Sequence, residues 1–190
     1  MRADAQANHD RLLVVAGAVI TEQGTEASMR DIARRAGVGL ATLQRHFPTR
    51  ESLLEALLRT SFDELTERAG QVETSNSPGE ALVVWLRDFI AVCTNYRGVV
   101  TAMVQAIEDP ESALHTSCVA MRGSGARLLT RAQGAGAART DLDGADLFAL
   151  VSSLVWLSDQ PGLEARAERL FEIVMSAIVT KAHSACCCGS

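Results

Sequence analysis

Thr42, Gln44, Arg45 and His46 put a hydroxyl, a carboxamide, a guanidinium and an imidazole within one short stretch. These are the groups that meet nucleic acid. A carboxamide pairs with adenine through two hydrogen bonds, and a guanidinium pairs with guanine or holds a phosphate. A threonine bonds phosphate or abuts a thymine methyl, and an imidazole donates to phosphate even when neutral. Ser28 and Arg30 stand at the start of the preceding helical stretch, where free amides attract phosphate. Arg50 stands at the start of the next stretch, and Leu40 and Ala41 fill the margin. This set is the candidate DNA-binding surface.

The stretch that must carry it reads as two short helices around one glycine. Ser28 with Asp31 three positions on is an N-cap pattern, and Met29, Ile32, Ala33 and Ala36 share one face. Gly37 permits a tight turn. Gly39 and Leu40 open the second helix, whose Leu43, with Val38 and Phe47, can pack on Ile32 and Ala33. That packing leaves Thr42, Gln44 and Arg45 outward, the arrangement of a helix-turn-helix that enters the major groove. A helix over 10–23, with Leu12, Leu13, Ala16, Val19 and Ile20 on one side, precedes the pair; Gly24 closes it. Thr49 caps a helix over 50–70.

Ile32-Ala-x-x-Ala-Gly-Val38, Ala41-Thr-Leu43, Arg45-His-Phe-Pro48 and Arg50-Glu-x-Leu53 follow one another in a single register. Over about residues 8–68 the chain resembles the TetR family of bacterial transcriptional regulators. The resemblance implies an all-α homodimer with helix-turn-helix heads and a larger ligand-binding body. It places Thr42, Gln44, His46 and Arg50 where the family contacts DNA, mostly at the backbone. Arg30, Leu40 and Ala41 fall where it often approaches bases or phosphates. Gln44 replaces a common tyrosine, Gly39 a serine and Arg50 a lysine. Arginine keeps the charge with a different fork geometry.

The net charge of −5 suits a DNA binder only once it is divided along the chain. Residues 25–50 hold five arginines against Glu26 and Asp31, whereas residues 61–190 hold 10 basic and 16 acidic side chains. The positive patch is local, and affinity depends on the cations that reach phosphate. No secretory signal and no membrane-spanning run is visible, which predicts a cytoplasmic protein without membrane association.

Almost every segment has helical period, which predicts an all-α fold. Expected helices beyond the linker at 74–79 cover 80–96, 98–108, 110–133, 144–159 and 163–182, with a mobile turn at 134–138. The expected domains are a helix-turn-helix head over 1–50 (tail 1–8), an effector-binding and dimerisation body over 51–182, and a flexible cysteine-rich tail over 183–190. The last two helices are apolar on wide arcs, which predicts burial inside the domain or against a partner. Their interface candidates are Leu147, Leu150, Val151 and Leu154, then Leu170, Phe171, Val174, Met175 and Ile178. Trp85, Phe89, Cys93, Met103, Gln105, Ile107, Met121 and Trp156 are candidates to line a pocket for an apolar or modestly polar effector. The helix that begins at Arg50 can link such a pocket to the spacing of the two reading heads.

These features predict a DNA-binding transcriptional regulator, a homodimeric repressor on a pseudo-palindromic duplex operator that a small apolar or modestly polar ligand releases. The bland alternatives are arginines that only solvate a surface, a structural His46 and a head that binds protein. No nucleophile elbow, zinc-protease helix or phosphate loop is present, so no catalytic residue and no cofactor is expected. Cys186, Cys187 and Cys188 with His183 match no paired-cysteine zinc frame, and no metal is expected; a thiol- or metal-responsive tail is the alternative. Cys93 and Cys118 read as small core residues.

Overall fold

The computed structural model describes residues 2–23, 27–96 and 99–180. Gly24, and the tail with His183 and Cys186 to Cys188, lie outside the described residues. The described residues form nine helices: α1 (Arg2–Gln23), α2 (Met29–Arg35), α3 (Leu40–His46), α4 (Arg50–Val72), α5 (Pro78–Thr94), α6 (Val99–Glu108), α7 (His115–Gly134), α8 (Gly144–Ser158) and α9 (Glu164–Ile178). The only β feature among them is an isolated antiparallel bridge between Ala138 and Val179. The fold is all-α, as the helical period requires.

Two compact units divide the chain: Met1–Glu64 with Ala91–Ala120, and Leu65–Ile90 with Met121–Ser190. In the first, α1 buries Leu12, Leu13, Ala16, Val19 and Ile20. Ile32, Ala33 and Ala36 of α2, Leu43 of α3, Phe47, and Leu53, Leu57, Leu58 and Phe62 of α4 are buried in the same unit. The apolar stripes thus meet as their spacing demands. Cys93 and Cys118 are buried too, and the Cys118 thiol donates to the Met103 carbonyl at 4.0 Å.

In the second unit, Trp85, Phe89 and Phe148 form an aromatic core. Phe148 meets Trp85 and Phe89 edge-on, with ring centroids 6.4 and 5.6 Å apart. This is the geometry that aromatic quadrupoles favour. The Trp85 indole N–H donates to the Leu65 carbonyl at 2.8 Å, so its one polar atom is satisfied within the core. Asp143 and Asp146 form a reciprocal capping box that starts α8.

Several helix boundaries differ from the sequence reading. The first helix begins at Arg2, before residue 10. The stretch expected to be helical from 110 begins at His115. Ahead of it, the Asp109 carboxylate accepts from the Glu111 amide at 3.0 Å and the Ser112 hydroxyl from the Leu114 amide at 3.3 Å. Such side-chain bonds offer the backbone an alternative to helix. The last helix ends at Ile178 and not at 182, because Val179 turns extended and pairs with Ala138. That pairing also holds the turn at 134–138: Thr180 donates through its hydroxyl to the Gly136 carbonyl at 2.8 Å and through its amide to Ala137 at 3.1 Å. The predicted mobile turn is a fastened one.

Candidate nucleic-acid interface

The geometry of the reading head is set at Gly37. Ser28 caps α2, its hydroxyl accepting from the Asp31 amide at 3.1 Å. Beyond the last turn of α2, the Val38 amide donates to the Ala33 carbonyl at 3.0 Å and the Gly37 amide to the Arg34 carbonyl at 3.2 Å. This pair of bonds is a Schellman motif, which needs a left-handed residue at its centre. Gly37 supplies it with φ of +67°. α3 starts three residues later, and burial of Leu43 and Phe47 fixes its roll.

With that roll set, Ser28, Arg30, Ala41, Gln44 and Arg45 are exposed, while Leu40, Thr42, His46 and Arg50 are half-buried. Arg45 reaches back to the Thr42 hydroxyl at 3.4 Å, so the two form one polar patch on α3. α4 begins at a second box: the Thr49 hydroxyl accepts from the Ser52 amide and the Ser52 hydroxyl from the Thr49 amide, both at 3.1 Å. Arg50 is therefore held in the first turn of a capped helix, whose positive end favours phosphate.

The arginines of the head are not equivalent. Arg34 pairs with Asp31 at 2.8 Å and Arg35 with Glu22 at 2.5 Å. The Arg34 hydrogen bond holds the Asp31 carboxyl below the usual carboxylate range. Among the described residues, Arg30 and Arg45 have no carboxylate partner. The charge left for an anionic duplex thus lies at the two ends of the helix pair.

His46 sits in a cluster that the sequence reading missed. Its ring centroid is 5.8 Å from that of His9, and His9 is 4.9 Å from Phe47. The Asn8 amide nitrogen lies 3.4 Å from His46 Nε2. A cavity of about 160 Å³ adjoins these rings, lined also by Ser52, Glu55 and Arg59. Burial, then the neighbouring His46, lowers the pKa of His9; Asp10 acts against this and Arg59 with it. Asn8 and His9 escaped notice because they precede the expected start of the first helix.

The candidates for an effector pocket lie in both compact units. Trp85, Phe89 and Met121 are buried in one compact unit; Cys93 and Met103 are buried in the other, where Ile107 is half-buried. Trp85 and Phe89 are 6.1 Å apart and stacked, as core aromatics. Gln105 and Trp156 are exposed in the single chain, Trp156 with 58% of its surface. Their helices bury the opposite faces, through Met103 with Ala106 and through Leu154 with Val155.

The interface candidates also separate. Leu147, Val151, Leu154, Phe171, Met175 and Ile178 are buried within this one chain. Leu150, Leu170 and Val174 remain at least partly exposed. With Leu150, Trp156 and Ile173 form an apolar exposed set on the packed α8–α9 pair, at 40%, 58% and 54% exposure. Ile173 was missed because α9 is apolar on more than one side.

No helix among the described residues is long and apolar enough to cross a membrane. No group of three or more His, Cys, Asp or Glu among them is placed to hold a metal ion.

Residues 12–57 match the family described as bacterial regulatory proteins, tetR family, and residues 77–178 match the C-terminal domain of SbtR-like transcriptional regulators. The HTH-type transcriptional repressor KstR2 of Mycolicibacterium smegmatis is 29% identical over 171 residues, 85% of this chain and 83% of that protein. The TetR transcriptional regulator SCO0520 of Streptomyces coelicolor has a similar crystal structure, with a TM-score of 0.69 and 33% identity over 92% of this chain and 99% of that one. A TetR regulatory protein from Mycobacterium vanbaalenii gives 0.66 and 33% over 94% and 99%.

Proposed function

Because the chain belongs to the TetR family of bacterial transcriptional regulators, we propose that it represses transcription as a homodimer on a pseudo-palindromic duplex and lets go when a small apolar or modestly polar molecule binds. DNA binding and regulation come with the family. Repression is supported by the relative named a repressor. The observation that carries the reading is the head itself. A glycine turn fixes α3 so that Gln44 and Arg45 stand outward, while Arg34 and Arg35 are engaged by acids of their own chain.

In this reading Gln44 and Arg45 face base edges, with Leu40 and Ala41 beside them. Ser28, Arg30, Thr42, His46 and Arg50 meet backbone phosphates. Two copies join through the exposed side of α8 and α9, where Leu150, Trp156, Ile173, Leu170 and Val174 offer apolar surface around small Ala149 and Ser153. Successive major grooves then require the two copies of α3 to stand about 34–36 Å apart. An effector needs only a different affinity for dimers that meet and miss that spacing. α4 is one unbroken helix from Arg50 to Val72, and so is suited to carry a tilt. We assign the first 50 residues to the head, the rest to 182 to the body, and the protein to the cytoplasm with its duplex; it is not an enzyme.

Selection from a random duplex library, followed by gel shift on the recovered sequence, tests the reading. A recovered inverted repeat bound by two copies supports it. Failure to enrich any duplex overturns it.

A further inference from the structure

The three side chains Arg11, Asn8 and His46 form a chain of hydrogen bonds that runs from α1 to the end of α3. The Arg11 guanidinium donates to Asn8 Oδ1 at 2.9 Å, and Asn8 Nδ2 lies 3.4 Å from His46 Nε2. The order of atoms has a consequence. A guanidinium can only donate, so it must take the amide oxygen. The amide end left facing His46 is then the NH2, which also can only donate. His46 Nε2 must accept, and a nitrogen that accepts carries no proton. Turning the amide over would set its NH2 against the guanidinium, donor against donor.

We propose that Asn8, oriented by Arg11, is a positioning residue for His46, holding its neutral imidazole with the proton on Nδ1 and so fixing which ring nitrogen can donate to the DNA backbone. This rests on the DNA-binding reading of His46. The ring has an aromatic neighbour as well. His9 packs between His46 and the buried Phe47, with centroids 5.8 and 4.9 Å away. A donor fixed before the duplex arrives loses less freedom on binding than one that must choose its tautomer.

Nitrogen-15 NMR of the imidazoles at pH 8 reads the tautomer directly in the wild-type protein. The expected result is a His46 ring with a protonated Nδ1 and a bare Nε2. A protonated Nε2 overturns the proposal, whatever the variants do. Asn8→Asp presents an acceptor in the same shape and is expected to move the proton to Nε2. It should also weaken binding to the library-selected duplex about fivefold, a typical loss for one hydrogen bond. Asn8→Asp with unchanged tautomer and unchanged affinity also overturns it. If the wild-type protein selects no duplex, the DNA reading fails, and the wild-type spectrum still decides the tautomer by itself.

Discussion

The Trp85 indole occupies the place that a side chain at position 125 would need. A Cβ built on Gly125 would lie 2.6 Å from Trp85 Cζ3, 2.8 Å from Cη2 and 3.0 Å from Phe148 Cζ. No real Cβ sits that close to ring carbons, and the rings are locked by their own packing. Gly125→Ala is therefore expected to lower stability by about 1–3 kcal/mol, the usual cost of overpacking. Gly123 lies on the same helix with only the flexible end of Arg127 nearby, at 3.8 Å. Gly123→Ala should be neutral or stabilising by about 0.5–1 kcal/mol, as for a helix-interior glycine. Urea unfolding at one fixed protein concentration separates the two, and equal midpoints would refute the packing account.

Arg34 and Arg45 differ in what they hold. Arg34 is engaged by Asp31, whereas Arg45 hydrogen-bonds the Thr42 hydroxyl. Arg45→Ala should weaken the selected duplex by about 1–3 kcal/mol and relax its sequence preference at one position, as loss of a base contact does. Arg50→Ala should weaken all sequences alike and reduce the salt slope by about 1. Arg34→Ala should change little. Gel shifts at several salt concentrations compare all three, and a uniform effect would undo the assignment.

Trp156 and Ile173 test the dimer surface. Trp156→Glu together with Ile173→Glu should leave the chain folded, since both side chains are more than half exposed. The pair should convert dimer to monomer in sedimentation and abolish duplex binding with it. A dimer that survives both changes would place the partner surface elsewhere.

His9 makes stability depend on pH. Its folded-state pKa lies below the ordinary 6.5, chiefly through burial and then through His46. The unfolded chain therefore takes up its proton first as pH falls. The stabilisation is complete above about 6.5 and declines on acidification through the lowered value. His9→Leu should flatten the difference in stability between pH 7.5 and 5.5. Thermal unfolding across that range measures it, and an identical slope in the variant would refute it.

The turn chemistry of the head is legible because single residues carry it. Gly37 is the one type that takes φ of +67° without strain, and Ser28 and Thr49 announce their helices through hydroxyls at fixed offsets. The spacing of α1 and α4 likewise names the residues that turn inward. What stays hidden is the phase of α8 and α9. α8 is apolar nearly all round, so spacing cannot say that Leu147 and Val151 face the chain's own core while Trp156 faces out. The cluster at His46 is hidden for another reason. Asn8 and His46 are 38 positions apart, and only the folded contact makes one amide matter to one ring.

Thr180 and Val179 tie the far end of α9 to the bend that leads from α7 into α8. The fastening turns α8 and α9 into a closed hairpin, pinned where its chain enters and where it leaves. Such a loop resists sliding of one helix along the other. A second molecule pressed against it would meet a stiff plate.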